Sequence, residues 1–235
     1  MVARVCTSSP EYPPLLRECP SWPPLVLYRA GARLNEVLGE APVAVAGTRE
    51  PTPAGRRLAR ELGRRLAERG HAVVTGLAHG IDEEAALGAL KAGGPVVGVV
   101  PYLFEGGDLS ELNPRAARLF RQARKLGALR NVAVVAENLV RDEKHVRGWL
   151  AARNRIVACM AVALVIPEAR FRHAHWGTRY AVEHALAAGR PVIVLEPRTG
   201  DADIVAAFEY FMRRGAVAAG GIGEVIDCVR AACQL

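Results

Sequence analysis

The sequence predicts an α/β chain: a Rossmann-like, doubly wound, mainly parallel sheet with a short proline-rich N-terminal extension. Three observations predict it. Apolar runs of strand length recur along the chain, segments of helical periodicity separate most of them, and glycine follows the first two runs where strand should turn into helix.

Residues 1–40 come first and read as an extension packed on the main domain, which spans 41–235. Pro10, Pro13, Pro14, Pro20, Pro23 and Pro24 favour extended and turn backbone over a long helix, and Leu25–Tyr28 is a short apolar run. The strand-like runs are Val43–Ala46, Ala72–Thr75, Val96–Val100, Val132–Ala136, Val162–Ile166 and Val192–Leu195. Their continuous β-branched character suits strands buried on both faces. Helical periodicity fills Ala54–Arg69, Glu83–Lys91, Arg115–Lys125, Gly148–Cys159 and Arg179–Ala188. Two later helices, about Ile204–Arg213 and Ile222–Ala232, complete the chain, which shows no repeat and no low-complexity tract.

Composition narrows the class. Apolar residues make up 51% of the 235, enough for a substantial core. No run approaches the ~20 residues of a membrane span, and Met1–Pro13 lacks the charged-then-apolar layout of a secretory signal. A soluble cytosolic protein with no membrane role is expected. The formal charge of +7, carried mostly by arginine, favours polyanionic partners, although it bears on solubility first. Cys6, Cys19, Cys159, Cys228 and Cys233 form no CxxC pair and no metal-ligand rhythm. They fit reduced thiols, with Cys6 and Cys19 the one pair that the N-terminal segment could bring together.

In an open parallel sheet, ligands bind beyond the carboxyl ends of the strands. After the first run come Gly47, Thr48 and Arg49, then Thr52 as a helix N-cap and Gly55. Free N–H groups at that helix start, with the Arg49 guanidinium, suit a phosphate; the plainer alternative is a turn with a solvated arginine. After the second run, Gly76, Ala78 and Gly80 form another phosphate-compatible nest ahead of a helix. Asp82 reads first as a cap for that helix, while His79 either touches a ligand or satisfies a backbone carbonyl. Arg147, Trp149, Arg153, Asn154 and Arg155 gather planar cations, an amide and an indole near one helix entrance, as single-strand binding requires. Gly177 and Thr178 repeat the glycine-plus-hydroxyl arrangement at a later helix start. His173 and His175 lack a third ligand at a fixed spacing, so no metal is expected. Nothing calls for a cofactor, and no nucleophile–base or spaced carboxylate pair demands catalysis.

Taken together these segments resemble the DprA/Smf DNA-processing family from roughly Tyr12 to Ala216. Gly47-Thr48-Arg49 matches its glycine–serine/threonine–arginine loop, with Gly55 at the glycine that opens the next helix. Thr75 to Asp82 matches its second signature, and Ala136-Glu137 stands at its serine–glutamate step. Arg153-Asn154-Arg155 matches its arginine–asparagine–arginine signature, and Gly177-Thr178 runs on to Gly189-Arg190 as its last motif does. Tyr12-Pro13 and Pro24 to Gly31 are similar to the family's lead-in. The resemblance implies a DprA-type domain that binds single-stranded DNA in a basic pocket without cutting it. It also implies a homodimer that loads a RecA-type recombinase onto incoming DNA during natural transformation. Carried over by position, Gly47, Thr48, Arg49, Gly76 and Gly80 hold phosphate, while Arg147 and Arg153 form the basic wall. Leu150 stands where the family usually has a phenylalanine that stacks on a base, and Trp176 and Ala136 replace two motif serines. No winged-helix tail is expected after Leu235. The main alternative is a nucleotide-binding or nucleoside-monophosphate-processing protein of the related LOG/lysine-decarboxylase-like group. Against it, Glu183 falls two positions late for that group's glycine–threonine–x–x–glutamate step.

Overall fold

Strands made almost wholly of valine and alanine need cover on both faces, and the chain supplies it with helices on either side of one sheet. The computed structural model describes residues 2–104, 113–140, 142–171 and 176–234. In chain order the elements are β1 (Ala3–Cys6), α1 (Pro14–Arg17), β2 (Val26–Gly31), α2 (Leu34–Val37), β3 (Val43–Val45) and α3 (Pro53–Ala67). There follow β4 (Val73–Thr75), α4 (Ile81–Lys91), β5 (Val96–Val99), α5 (Pro114–Lys125), β6 (Val132–Ala136) and α6 (Val146–Cys159). The last are β7 (Ala163–Ile166), α7 (Gly177–Ala187), β8 (Val192–Leu195), α8 (Ala202–Met212), β9 (Val217–Ala219) and α9 (Ile222–Ala232).

Among the described residues the strands form one sheet in the order β1-β2-β6-β5-β4-β3-β7-β8-β9. From β6 to β9 every pairing is parallel, whereas β1 and β2 add antiparallel. This is the doubly wound, mainly parallel α/β architecture that the sequence predicts. Strand order runs outward from the centre in both directions, so the topological switch lies between β3 and β7, paired Val43↔Ala163. Alternate strand residues enter two cores. Val43, Val73, Val96 and Val132 pack with α3, α4, α5 and α9. Ala44, Val74, Val97 and Ala133 pack with α6, α7 and α8. Among the described residues no helix is long and apolar enough to cross a membrane.

The first forty residues extend the sheet. Tyr12, 1% exposed, donates its hydroxyl to the Pro24 carbonyl at 2.6 Å, and Glu11 accepts from the Leu34 N–H at 3.1 Å while pairing with Arg29. One expectation is corrected here. Cys19 is not a free thiol or a partner for Cys6: it is disulfide-bonded to Cys159, with 5.5 Å between Cα atoms across a sequence separation of 140. Cys19 follows α1 and Cys159 ends α6, a proximity that only the tertiary fold creates. Cys6, Cys228 and Cys233 are free.

Candidate anion-binding cleft

Beyond the carboxyl ends of the strands, at the β3/β7 switch, lies a cleft of about 330 Å³. The β3–α3 loop brings Gly47, Thr48 and Arg49 to it, and the loop before α4 brings Ala78. Arg153 and Asn154 reach it from α6, and Gly177 and Thr178 from the start of α7. Segments more than a hundred residues apart in the chain thus meet at one place, as the switch-point rule requires.

Arg153 is the centre of its electrostatics. The side chain is only 6% exposed and crosses over Gly76, where any Cβ would fall inside the guanidinium. Its Nε finds no hydrogen-bond partner among the described residues. The nearby counter-charge is Asp82, 4% exposed, which accepts from the Ala78 N–H at 3.3 Å. Burial pushes the Asp82 carboxyl up, against the pull of Arg153 and of hydrogen bonds from Ala78 and Thr75. Burial likewise lowers Arg153 to about 10; Asp82 opposes this, while Arg115 and Arg49 push the same way. Arg115, from α5, is itself lowered by burial and then by Arg49. Arg153 and Arg115 therefore draw on one buried carboxylate, with Arg49 adding further positive charge beside them.

Several predicted groups tie the walls of the cleft to one another. Thr178 Oγ1 donates to the Gly47 carbonyl at 3.1 Å, and Asn154 Nδ2 donates to the Gly177 carbonyl at 3.3 Å. The tips of β3, α6 and α7 are thereby fixed to one another. Gly80, at φ +91°, packs on the Thr48 carbonyl, which also accepts from the Ile81 N–H at 3.2 Å.

The helix start after the first loop differs from expectation. Thr52 does cap α3, accepting from the Gly55 N–H at 2.9 Å. But the Glu168 carboxylate already occupies the anion position, accepting from the Thr52 N–H at 2.8 Å and its hydroxyl at 2.6 Å. A Cβ on Gly55 would lie 2.5 Å from Glu168 Oε2, so this glycine makes room for the carboxylate. The first turn of α4 carries Asp82, Glu83 and Glu84, which disfavours a second anion there. At α7 the first turn holds no acid and the N-cap Trp176 side chain makes no capping bond, and Gly177 and Thr178 line the cleft together with Glu50.

Other residues lie elsewhere. Arg155 donates to the Trp22 carbonyl at 3.0 Å and the Ala152 carbonyl at 2.9 Å and pairs with Glu137, away from the cleft. Arg147 is exposed on the first turn of α6 and is absent from the cleft lining. His79 pairs with Glu83 at 3.1 Å and borders a neighbouring groove. Trp149 stacks on His145 with centroids 6.1 Å apart; the indole that lines the cleft is Trp176, packed on Phe171, Tyr210 and Phe211 at 5.0, 4.8 and 5.0 Å. His173 and His175 lie outside the described residues, among which no group of three metal-ligating side chains occurs. The sequence reasoning missed Glu168, Trp176 and Arg115. Glu168 lies just past the β7 run, a position the strand-end rule marks for attention; Trp176 was legible only as a departure from a motif; no local signal marks Arg115, which lines the neighbouring groove and acts on Arg153 through its charge.

A doubly wound sheet with basic loop tips gathered at its switch point defines the class. The chain belongs to the DNA recombination-mediator protein A family, whose model matches residues 3–230. It is 36% identical over 166 residues to Protein Smf of Synechocystis, an alignment covering 68% of this chain and 38% of that protein. The chain thus spans well under half the length of that relative. The crystal structure of DNA processing protein A (DprA) from Streptococcus pneumoniae superposes with a TM-score of 0.77 at 23% identity, covering 96% of this chain and 73% of the other. DprA from Helicobacter pylori, solved for its single-stranded DNA binding mode, gives 0.76 at 22% identity, covering 98% and 96%. At these identities the two structures establish the likeness of fold.

Proposed function

We propose that the chain binds single-stranded DNA, seating backbone phosphate in the cleft between Arg49, Arg153 and the first turn of α7. The observation that carries this is Arg153: a guanidinium buried at the cleft, with Nε unpartnered among the described residues and its carboxylate neighbour Asp82 also drawn on by Arg115. A buried cation short of counter-charge is costly, and an arriving phosphate relieves that cost. Family membership and the DNA-binding Helicobacter pylori relative support the same ligand. Trp176 and Leu150 both line the cleft, and of the two only the indole gives a base an aromatic partner. By the same likeness, the chain acts as a homodimer and passes DNA to a RecA-type recombinase.

The test is a titration with oligothymidylates of increasing length, at several salt concentrations, beside mononucleotides. Affinity should rise with length and fall with salt, each phosphate contact adding about −0.7 to the log–log slope. Arg49→Ala should weaken oligomer binding with the melting temperature preserved. Tight mononucleotide binding without length dependence, or release of a free base, would replace this reading with nucleotide processing.

A further inference from the structure

A second cavity, of about 340 Å³, opens between α4 and α5. Arg49 lines both it and the cleft. Its floor is apolar, formed by Leu77, Leu87, Leu90 and Leu119. Leu77 is held there at φ +52°, a left-handed conformation costly for a branched side chain, and its methyl groups fill the space left by Gly98. The rim is cationic. Arg115 Nη1 is buried with no hydrogen-bond partner among the described residues. Arg118 stands 2.8 Å from Glu83, which His79 meets from its other side at 3.1 Å, so the rim's acid is already neutralised.

We propose that this cavity is a second nucleotide subsite, taking the base of the residue next to the one whose phosphate sits in the cleft. The inference rests on the cleft being a DNA site. A planar ring covers the leucine floor, and its phosphate meets Arg49, Arg115 and Arg118. A polyanion without an apolar face would leave the floor wet, and an apolar peptide would leave Arg115 unpaired. A single strand has both chemistries, and Arg49, which lines both cavities, joins the two sites. The volume falls within the roughly 300–1,000 Å³ of ligand pockets.

The experiment is an abasic scan of a short oligothymidylate, titrated into the full chain and into Leu87→Ser, with mononucleotide binding measured in parallel. One abasic position should cost about tenfold in the parent protein and almost nothing in Leu87→Ser. Equal penalties in both proteins at every position, or a flat scan in the parent, overturn the subsite. Arg118→Ala, on an exposed side chain, serves if Leu87→Ser does not fold. It should weaken oligomer binding several-fold more than Arg121→Ala, which removes the same charge from an exposed position on α5 outside the cavity lining; equal losses overturn the proposal. Arg49→Ala separates the two ideas: if it changes no affinity the cleft reading fails, and if it weakens binding while the other arms are flat only the subsite fails.

Discussion

Arg153 places a full charge under a strand end where hydrogen-bonding capacity is short. Replacing a buried ion together with its counter-ion by neutral side chains of similar shape is often neutral or stabilising, by about 1–4 kcal/mol, whereas removing one partner alone costs about 3–5 kcal/mol because the other stays buried and unpaired. The double variant Arg153→Met with Asp82→Asn should therefore keep or raise the melting temperature while oligonucleotide affinity falls at least tenfold, and Arg153→Met alone should melt lower than the double variant. Calorimetry and titration of the same preparation check this, and a variant that unfolds would mark the arginine as structural. The triplet around it shows what sequence reveals at this scale. The letters Arg153-Asn154-Arg155 announce a basic site, yet residues two apart on a helix point about 200° from each other. So Arg153 enters the cleft while Arg155 ties α6 to Trp22 and Glu137. That divergence follows from helix geometry and was available without coordinates. The orphaned Nε of Arg153 was not, because it depends on every neighbour at once.

The start of α3 shows how a loop and a helix share a carboxylate. Glu168 arrives from the end of β7 and accepts two hydrogen bonds from Thr52. Removing it orphans buried donors, so Glu168→Ala should cost about 1–3 kcal/mol by denaturant unfolding. Added sulfate or phosphate should restore part of that loss and have little effect on the parent protein. Unchanged stability would mean that water serves those donors equally well. The central strands and most helices were legible because buried valine runs and amphipathic periods are strong local signals. β1, β2 and β9 were not. Two lie in a proline-rich stretch, and β9 is three residues long with Val217 47% exposed, so it lacks the apolar run that marks a buried strand.

On the scale of the molecule, one covalent bond and one sheet carry the N-terminal segment into the body. β1 and β2 pair onto the β6 edge, and Cys19–Cys159 closes a loop of 140 residues from that segment to the end of α6. Intact mass under denaturing, non-reducing conditions should fall short of the reduced chain by two hydrogens. Reduction should lower stability by about 2–5 kcal/mol. Five alkylatable thiols in the untreated protein would contradict the crosslink. Cysteine spacing could not foretell it, because the two partners approach only after three parallel crossovers, β3 to β4, β4 to β5 and β5 to β6, have been laid down between them.

Glu168 also sets what small solutes can do to the molecule. An oriented group built into the same chain acts at effective molarities of roughly 10⁵ M or more, far beyond any dissolved competitor. Free sulfate or inorganic phosphate therefore cannot displace it from the first loop, however crowded the surrounding solution. In the proposed function, phosphate capture falls to the start of α7 and its arginine neighbours, so buffer ions should compete there and not at the Glu168-filled helix start.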